Sequence, residues 1–334
     1  MNRTSFFFLL FLFSCSSQED VSPVKLIGEA QGTYYSITYF DVEERNFQSE
    51  IDSILTAFDQ SVSLWIPNSV LSKVNRNDST VKIDAFFKLN FKLAKQVSKA
   101  TDGAFDFTVA PLVKAWGFGF DENKKVDSNI IDSLLPLIDY RNVEIKNGTV
   151  VKSDPRITFD FNAIAQGFSV DVIAAWLESK SIESYLVDIG GEVKAKGNKP
   201  DGSLWKVGIE KPTKNKDDAR DLKAVVELKN NSIATSGNYR KFYEEDGIRY
   251  SHTIDPQSGY PVRHSLLSVS VLTENTGLAD AYATAFMVWG FEKSKSFVES
   301  TPELEAFFIY SDKSGEYQTY ATQGFRKVIT KEFE

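Results

Sequence analysis

Apolar residues recur at two periods along this chain. Ile51, Ile54, Leu55 and Phe58 fall at helical spacing within Phe47–Phe58. Phe87, Phe91, Ala94 and Val97 repeat that spacing within Asp84–Ala100, which runs into the helix stop Thr101-Asp102-Gly103. Thr33–Phe40 (TYYSITYF) follows Gly32, is rich in aromatic and β-branched residues, and predicts a strand. Ile157–Phe161 and Tyr185–Ile189 read as short buried strands around a helix from Ser169 to Ser179. Further strands are predicted at Trp205–Glu210, Ala224–Leu228, Leu266–Leu272 and Ala306–Tyr310, and an apolar helix at Leu278–Trp289. The polar Asp121–Pro136 reads as a surface excursion and the charged Lys211–Arg220 as a loop. Helices and strands mix without strict βαβ alternation and without repeats. The expected fold class is therefore α+β, with mixed, largely antiparallel sheets and packed helices.

The N-terminus departs from this pattern. Arg3 precedes an unbroken apolar run, Phe6–Phe13 (FFFLLFLF), far too short to cross ~30 Å of hydrocarbon as a helix and suited to a signal-peptide core. It leads into Leu12-Phe13-Ser14-Cys15, which resembles a bacterial lipobox, in which the Cys is lipidated and becomes the mature N-terminus. The expected organisation is a signal peptide over 1–14, a flexible tether over 15–25 behind a lipidated Cys15, and one catalytic domain over 26–334. Such a chain sits in the bacterial cell envelope, facing the periplasm and anchored to a membrane by its acyl chains.

Composition narrows the chemistry. Cys15 is the only cysteine among 334 residues, so an internal disulfide, a zinc finger and an iron–sulfur cluster are excluded. A net charge of −8, or −9 once Arg3 leaves with the signal peptide, argues against a general nucleic-acid binder. There is no phosphate-binding G-x-x-x-x-G-K-[ST], no complete G-x-G-x-x-G, no G-x-S-x-G and no H-E-x-x-H.

Four segments concentrate small, polar and aromatic residues. In Thr101–Gly119, Asp106 offers a carboxylate and Phe105 and Trp116 offer flat faces, although a turn leading into core aromatics has the same look. In Thr158–Asp171, Asp160 and Gly167 precede a helix, where free backbone groups serve phosphate or metal, or simply make an ordinary connection. ATSGNYR (234–240) and SHTIDPQSGYP (251–261) bring His252 into a polar, turn-rich run. It is the better placed of two histidines and a candidate general base, while His264 reads as structural or exposed. In Leu278–Gly290, Asp280 and Thr284 share one helix face. That pair suits a hard, oxygen-preferring cation, or else a carboxylate favouring the helix dipole beside a self-satisfied hydroxyl.

Taken in order, these segments resemble the FAD:protein FMN transferase family, the ApbE flavin transferases. The matching pieces are Gly32-Thr33, SVLSKVN (69–75), the DGAF-to-WGFG run (102–119), Asp160–Gly167, Asp188-Ile189-Gly190-Gly191, ATSGNYR, SHTIDPQSGYPV and ADAYATA. The resemblance implies the ApbE-like fold and an enzyme that splits FAD with Mg²⁺, places FMN on a Ser or Thr hydroxyl of an exported or membrane-bound redox protein, and releases AMP. It implies a cation held by the Asp280 and Thr284 side chains and the Ala163 carbonyl, and acceptor activation by His252. It puts FAD against Trp65, Ala104, Phe105, Asp106, Asp160, Gln166 and Ile254. Three departures stand out: Asn162 and Ala163 replace two glycines, Gln166 replaces a usually charged residue, and Gln31 stands where Met is common. An FAD pyrophosphatase and a non-catalytic flavin-binding lipoprotein are the competing readings.

Overall fold

The computed structural model describes residues 21–117, 126–213, 221–238, 242–245, 248–251 and 253–333, with 242–245 and 248–251 as strand backbone only. Chain order begins with a hairpin, β1 (Pro23–Ala30) and β2 (Thr33–Phe40), followed by helices α1 (Gln48–Val62), α2 (Val70–Asn75), α3 (Ala85–Ala100), α4 (Ala110–Ala115) and α5 (Ser128–Leu134). Next come β3 (Val143–Lys146), β4 (Thr149–Lys152), α6 (Ala165–Ser179), β5 (Tyr185–Ile189), β6 (Glu192–Lys196), β7 (Trp205–Glu210), β8 (Leu222–Leu228), β9 (Ser232–Gly237), β10 (Phe242–Glu245) and β11 (Ile248–Ser251). The chain closes with β12 (Leu266–Thr273), α7 (Thr276–Trp289), α8 (Phe291–Glu299), β13 (Glu305–Ser311), β14 (Tyr317–Ala321), α9 (Gln323–Val328) and β15 (Ile329–Glu332).

An antiparallel eight-stranded sheet, ordered β1-β2-β5-β6-β9-β12-β13-β14, is the middle of three layers. Strand residues alternate between its two faces, as the two-residue period requires. Val269, Val271, Ala306 and Phe308 pack with α3 and α7 on one face, where Tyr35, Ile37, Tyr185 and Val187 also meet α1 and α6. Ile233, Leu272, Phe307 and Ile309 face the other way, onto Trp205, Val226 and Leu228 of the small sheet β15-β8-β7. A strand covered on both faces loses its polar positions. That is why β13 reads EAFFIYS, with Ala306 through Ile309 all buried. The fold is α+β with largely antiparallel sheets, as the sequence predicts.

Three expectations need correction. Residues 23–25, expected to lie in the tether, belong to the folded domain: Pro23, Val24 and Lys25 pair with Phe40, Tyr39 and Thr38. Asp121–Pro136 is not simply a surface excursion: where it is described it contains α5, with Ile131 fully buried beside Leu112. Ile131, Leu134 and Leu135 supply the i, i+3, i+4 stripe that the polar composition around them obscured. Finally, Ile157–Phe161 is extended and buries Ile157, Phe159 and Phe161, yet it is no regular strand. Its contacts are a single parallel bridge between Thr158 and Val109, the Asp160 N–H donating to the Phe107 carbonyl at 2.8 Å, and the Asn75 side chain. That amide receives the Phe159 N–H at 2.8 Å and donates to the Phe159 carbonyl at 2.9 Å, completing what a neighbouring strand would supply.

Candidate active site

The site is built where α6 starts and α7 passes it. Gly167 and Gly277 let the two helices touch: a Cβ on Gly167 would lie 2.5 Å from the Thr276 carbonyl oxygen, and one on Gly277 would lie 3.2 Å from the Phe168 backbone. Asp171 of α6 fixes the start of α7. Its carboxylate accepts from Thr276 N at 3.0 Å, Thr276 Oγ1 at 3.1 Å and Gly277 N at 2.9 Å, and Lys194 pairs with it at 3.0 Å. Asn275 adds an N-cap bond from Leu278 N at 2.9 Å. One turn further along, buried Asp280 accepts the Gly167 N–H at 3.1 Å, so an otherwise orphaned donor of the first turn of α6 is spent on it. Thr284, one turn beyond, lies 3.5 Å from the Ser236 hydroxyl of β9.

The hairpin tips close the cluster. Gly190 holds a left-handed conformation at φ 61°, where a Cβ would collide with the Gln166 amide and Thr33. Gln166 donates to the Ile189 carbonyl at 2.9 Å and to the Glu192 carboxylate. Burial pushes Asp280 up to about 7. Glu192 is pushed well above the carboxylate range by burial and by the charge of Asp280. No cationic side chain among the described residues pairs with either. A buried oxygen-rich spot short of positive charge fits a hard divalent cation. The turn before α6 contributes too: Ile164 N and Ala165 N both donate to Phe161, so its backbone bonds bypass the Ala163 carbonyl.

The structure thus sets Asp280 against the first turn of α6, where Gln166 precedes Gly167, with Thr284 one turn further along α7 and Ala163 in the turn that leads into α6. Asp160, raised by its burial and accepting from Asn162 N at 2.8 Å, stands at the entry to that turn. Asp106 is otherwise engaged: it accepts from Thr108 N at 2.8 Å, Thr108 Oγ1 at 2.7 Å and Tyr140 N at 2.9 Å. Ala104 and the rings of Phe105 and Trp116 are core, and Ile254 packs with Leu112, Trp116 and Ile131. Trp65 is 58% exposed on the loop after α1. His264 is structural, its Nε2 lying 2.7 Å from the Met287 carbonyl near the end of α7. His252 and Cys15 lie outside the described residues. Glu192, Asp171 and Asn75 were not singled out as site residues from the sequence. The signal for Glu192 was a carboxylate directly after the Gly190-Gly191 turn.

This fold is that of the flavin transferases. The structure is similar to the flavin transferase ApbE from Vibrio cholerae, with a TM-score of 0.81, 33% identity and coverage of 92% of this chain and 99% of that one. It is also similar to the apo form of the Pseudomonas stutzeri flavinyl transferase ApbE, at TM-score 0.83, 31% identity and 94% and 98% coverage. The chain belongs to the ApbE family, whose model matches residues 31–308. Two relatives named FAD:protein FMN transferase are those of Vibrio cholerae, 34% identical over 97% of both chains, and Haemophilus influenzae, 33% identical over 94% of both.

Proposed function

We propose that this protein is a Mg²⁺-dependent FAD:protein FMN transferase that moves FMN from FAD onto a Ser or Thr hydroxyl of an exported or membrane-bound redox protein and releases AMP. The observation that carries this is the end-to-end relation to proteins of that name; the contact of buried Asp280 with the first turn of α6, one turn before Thr284 on α7, supports it. In this reading the Asp280 and Thr284 side chains and the Ala163 carbonyl hold Mg²⁺. When bound, the ion supplies positive charge against the pyrophosphate as its P–O bond breaks. The 104–106 turn, Asp160, Gln166, Ile254 and Trp65 position FAD. His252, assigned from the sequence motif alone, takes the acceptor proton as the hydroxyl oxygen bonds to the FMN phosphorus, a role worth ~10²–10⁴-fold. Cys15, lipidated, holds the enzyme at the periplasmic side of the cell envelope.

Intact-mass measurement of a flavin-accepting redox subunit incubated with FAD, Mg²⁺ and this protein tests the proposal. A gain of one FMN on the target, lost when its acceptor Ser or Thr becomes Ala, is the expected result. FMN and AMP released with the target unmodified would replace the transferase by a pyrophosphatase, and FAD left intact would favour a flavin-binding protein.

A further inference from the structure

Gln166 and Gly167 are consecutive residues in the first turn of α6, and each holds a different carboxylate. The Gly167 N–H donates to Oδ2 of Asp280 on α7. The Gln166 amide, steadied at 2.9 Å by the Ile189 carbonyl, donates to Oε2 of Glu192 at the start of β6. One helical turn therefore presents two carboxylates from two other elements. Neither forms a salt bridge among the described residues, although Lys194, two positions along β6, is spent on Asp171 and the Glu274 carbonyl at 2.7 Å. A lysine in place of Gln166 would pair with Glu192 and cancel its charge. A glutamine fixes the carboxylate's direction and brings no charge of its own.

Two buried carboxylates held by neutral groups suit a divalent cation, and Mg²⁺ commonly takes one or two carboxylates. We propose that Glu192 is a second carboxylate ligand of the cation that Asp280 holds, with Gln166 as its positioning residue. This rests on the function proposed above. The cation site of this chain then carries two negative charges, and Gln166 is the residue that keeps the second one available.

The test is Mn²⁺ binding, as a stand-in for Mg²⁺, to the purified chain without FAD, read by electron paramagnetic resonance of the free ion. Glu192→Gln is expected to weaken binding by about 10-fold or more, with Asp280→Asn as reference. Gln166→Lys, which leaves both carboxylates but adds a competing charge, is expected to weaken it by about the same factor. It also supplies the readout if Glu192→Gln does not fold. Loss of binding in Asp280→Asn with wild-type affinity in Glu192→Gln, or in Gln166→Lys where Glu192→Gln does not fold, overturns the role of Glu192 and leaves the site intact. Wild-type affinity in Asp280→Asn overturns the cation site itself, and this inference with it.

Discussion

Asp280 is the residue on which most of the proposed chemistry converges, and its environment makes a prediction about pH. Burial raises it from 3.8 to about 7, so between those values the folded protein keeps a proton that the unfolded chain has already released. Stability of the metal-free protein should then fall as pH rises from about 4 through 7, by at most about 1.4 kcal/mol per pH unit for this group. Denaturant unfolding in EDTA at a series of pH values checks the slope. Asp280→Asn should flatten it and, above pH 7, be the more stable protein while losing Mg²⁺-dependent FMN transfer by at least about 10²-fold. A variant as pH-dependent as wild type would remove Asp280 as the cause. Asp106 has a structural task in the fold whatever it does for a ligand. Both oxygens of its carboxylate accept from Thr108 and Tyr140 donors. Asp106→Asn should therefore show up first as lost stability, about 1–3 kcal/mol in a denaturant titration, before any change in KM for FAD.

At the scale of elements, the contact between α6 and α7 sets the site. Gly167→Ala puts a methyl group within 2.5 Å of the Thr276 carbonyl and 2.8 Å of Asp280 Cβ, both on a helix that cannot yield locally. It should cost about 1–3 kcal/mol and impair cation binding together with activity, measurable by thermal unfolding and Mn²⁺ titration. Asp171→Ala strips three bonds from the start of α7 and leaves Lys194 without its carboxylate, with an expected loss of about 3 kcal/mol. Sequence periodicity found the elements that bury one clear stripe: β2, β5 and β7 match to the residue, and α3 matches apart from its cap, Asp84. It missed β9 (SIATSG), whose small polar residues carry no strand signal and whose pairing comes from β6 and β12. It also over-read 157–161, because alternation reports which side chains are buried and says nothing about whether a neighbouring strand exists. The Gln166–Glu192 contact was invisible for a related reason. It joins two residues 26 positions apart through a glycine turn whose geometry no local pattern encodes.

The whole molecule is three layers around one sheet, and among the described residues no helix is long and apolar enough to cross a membrane. The proposed attachment rests on Cys15. Cys15→Ser is expected to move the protein from the membrane to the soluble fraction on fractionation and to abolish labelling by a clickable fatty acid, while FMN transfer in solution persists. Retention in the membrane fraction would overturn the anchor. Composition was informative at this scale: a thiol-poor, acidic chain leaves oxygen ligands and backbone donors to meet a dinucleotide, and the cluster around Asp280 is made of those groups. The order of the sheet has one more consequence. β1 is one of its two edge strands, and an exposed edge is a template on which another molecule can polymerise. Pro23 brings no N–H to that edge, Lys25 and Glu29 place opposite charges along it, and Gly28 weakens its propensity. At this edge the protection against growing into a fibre is encoded in the same eight residues that complete the sheet.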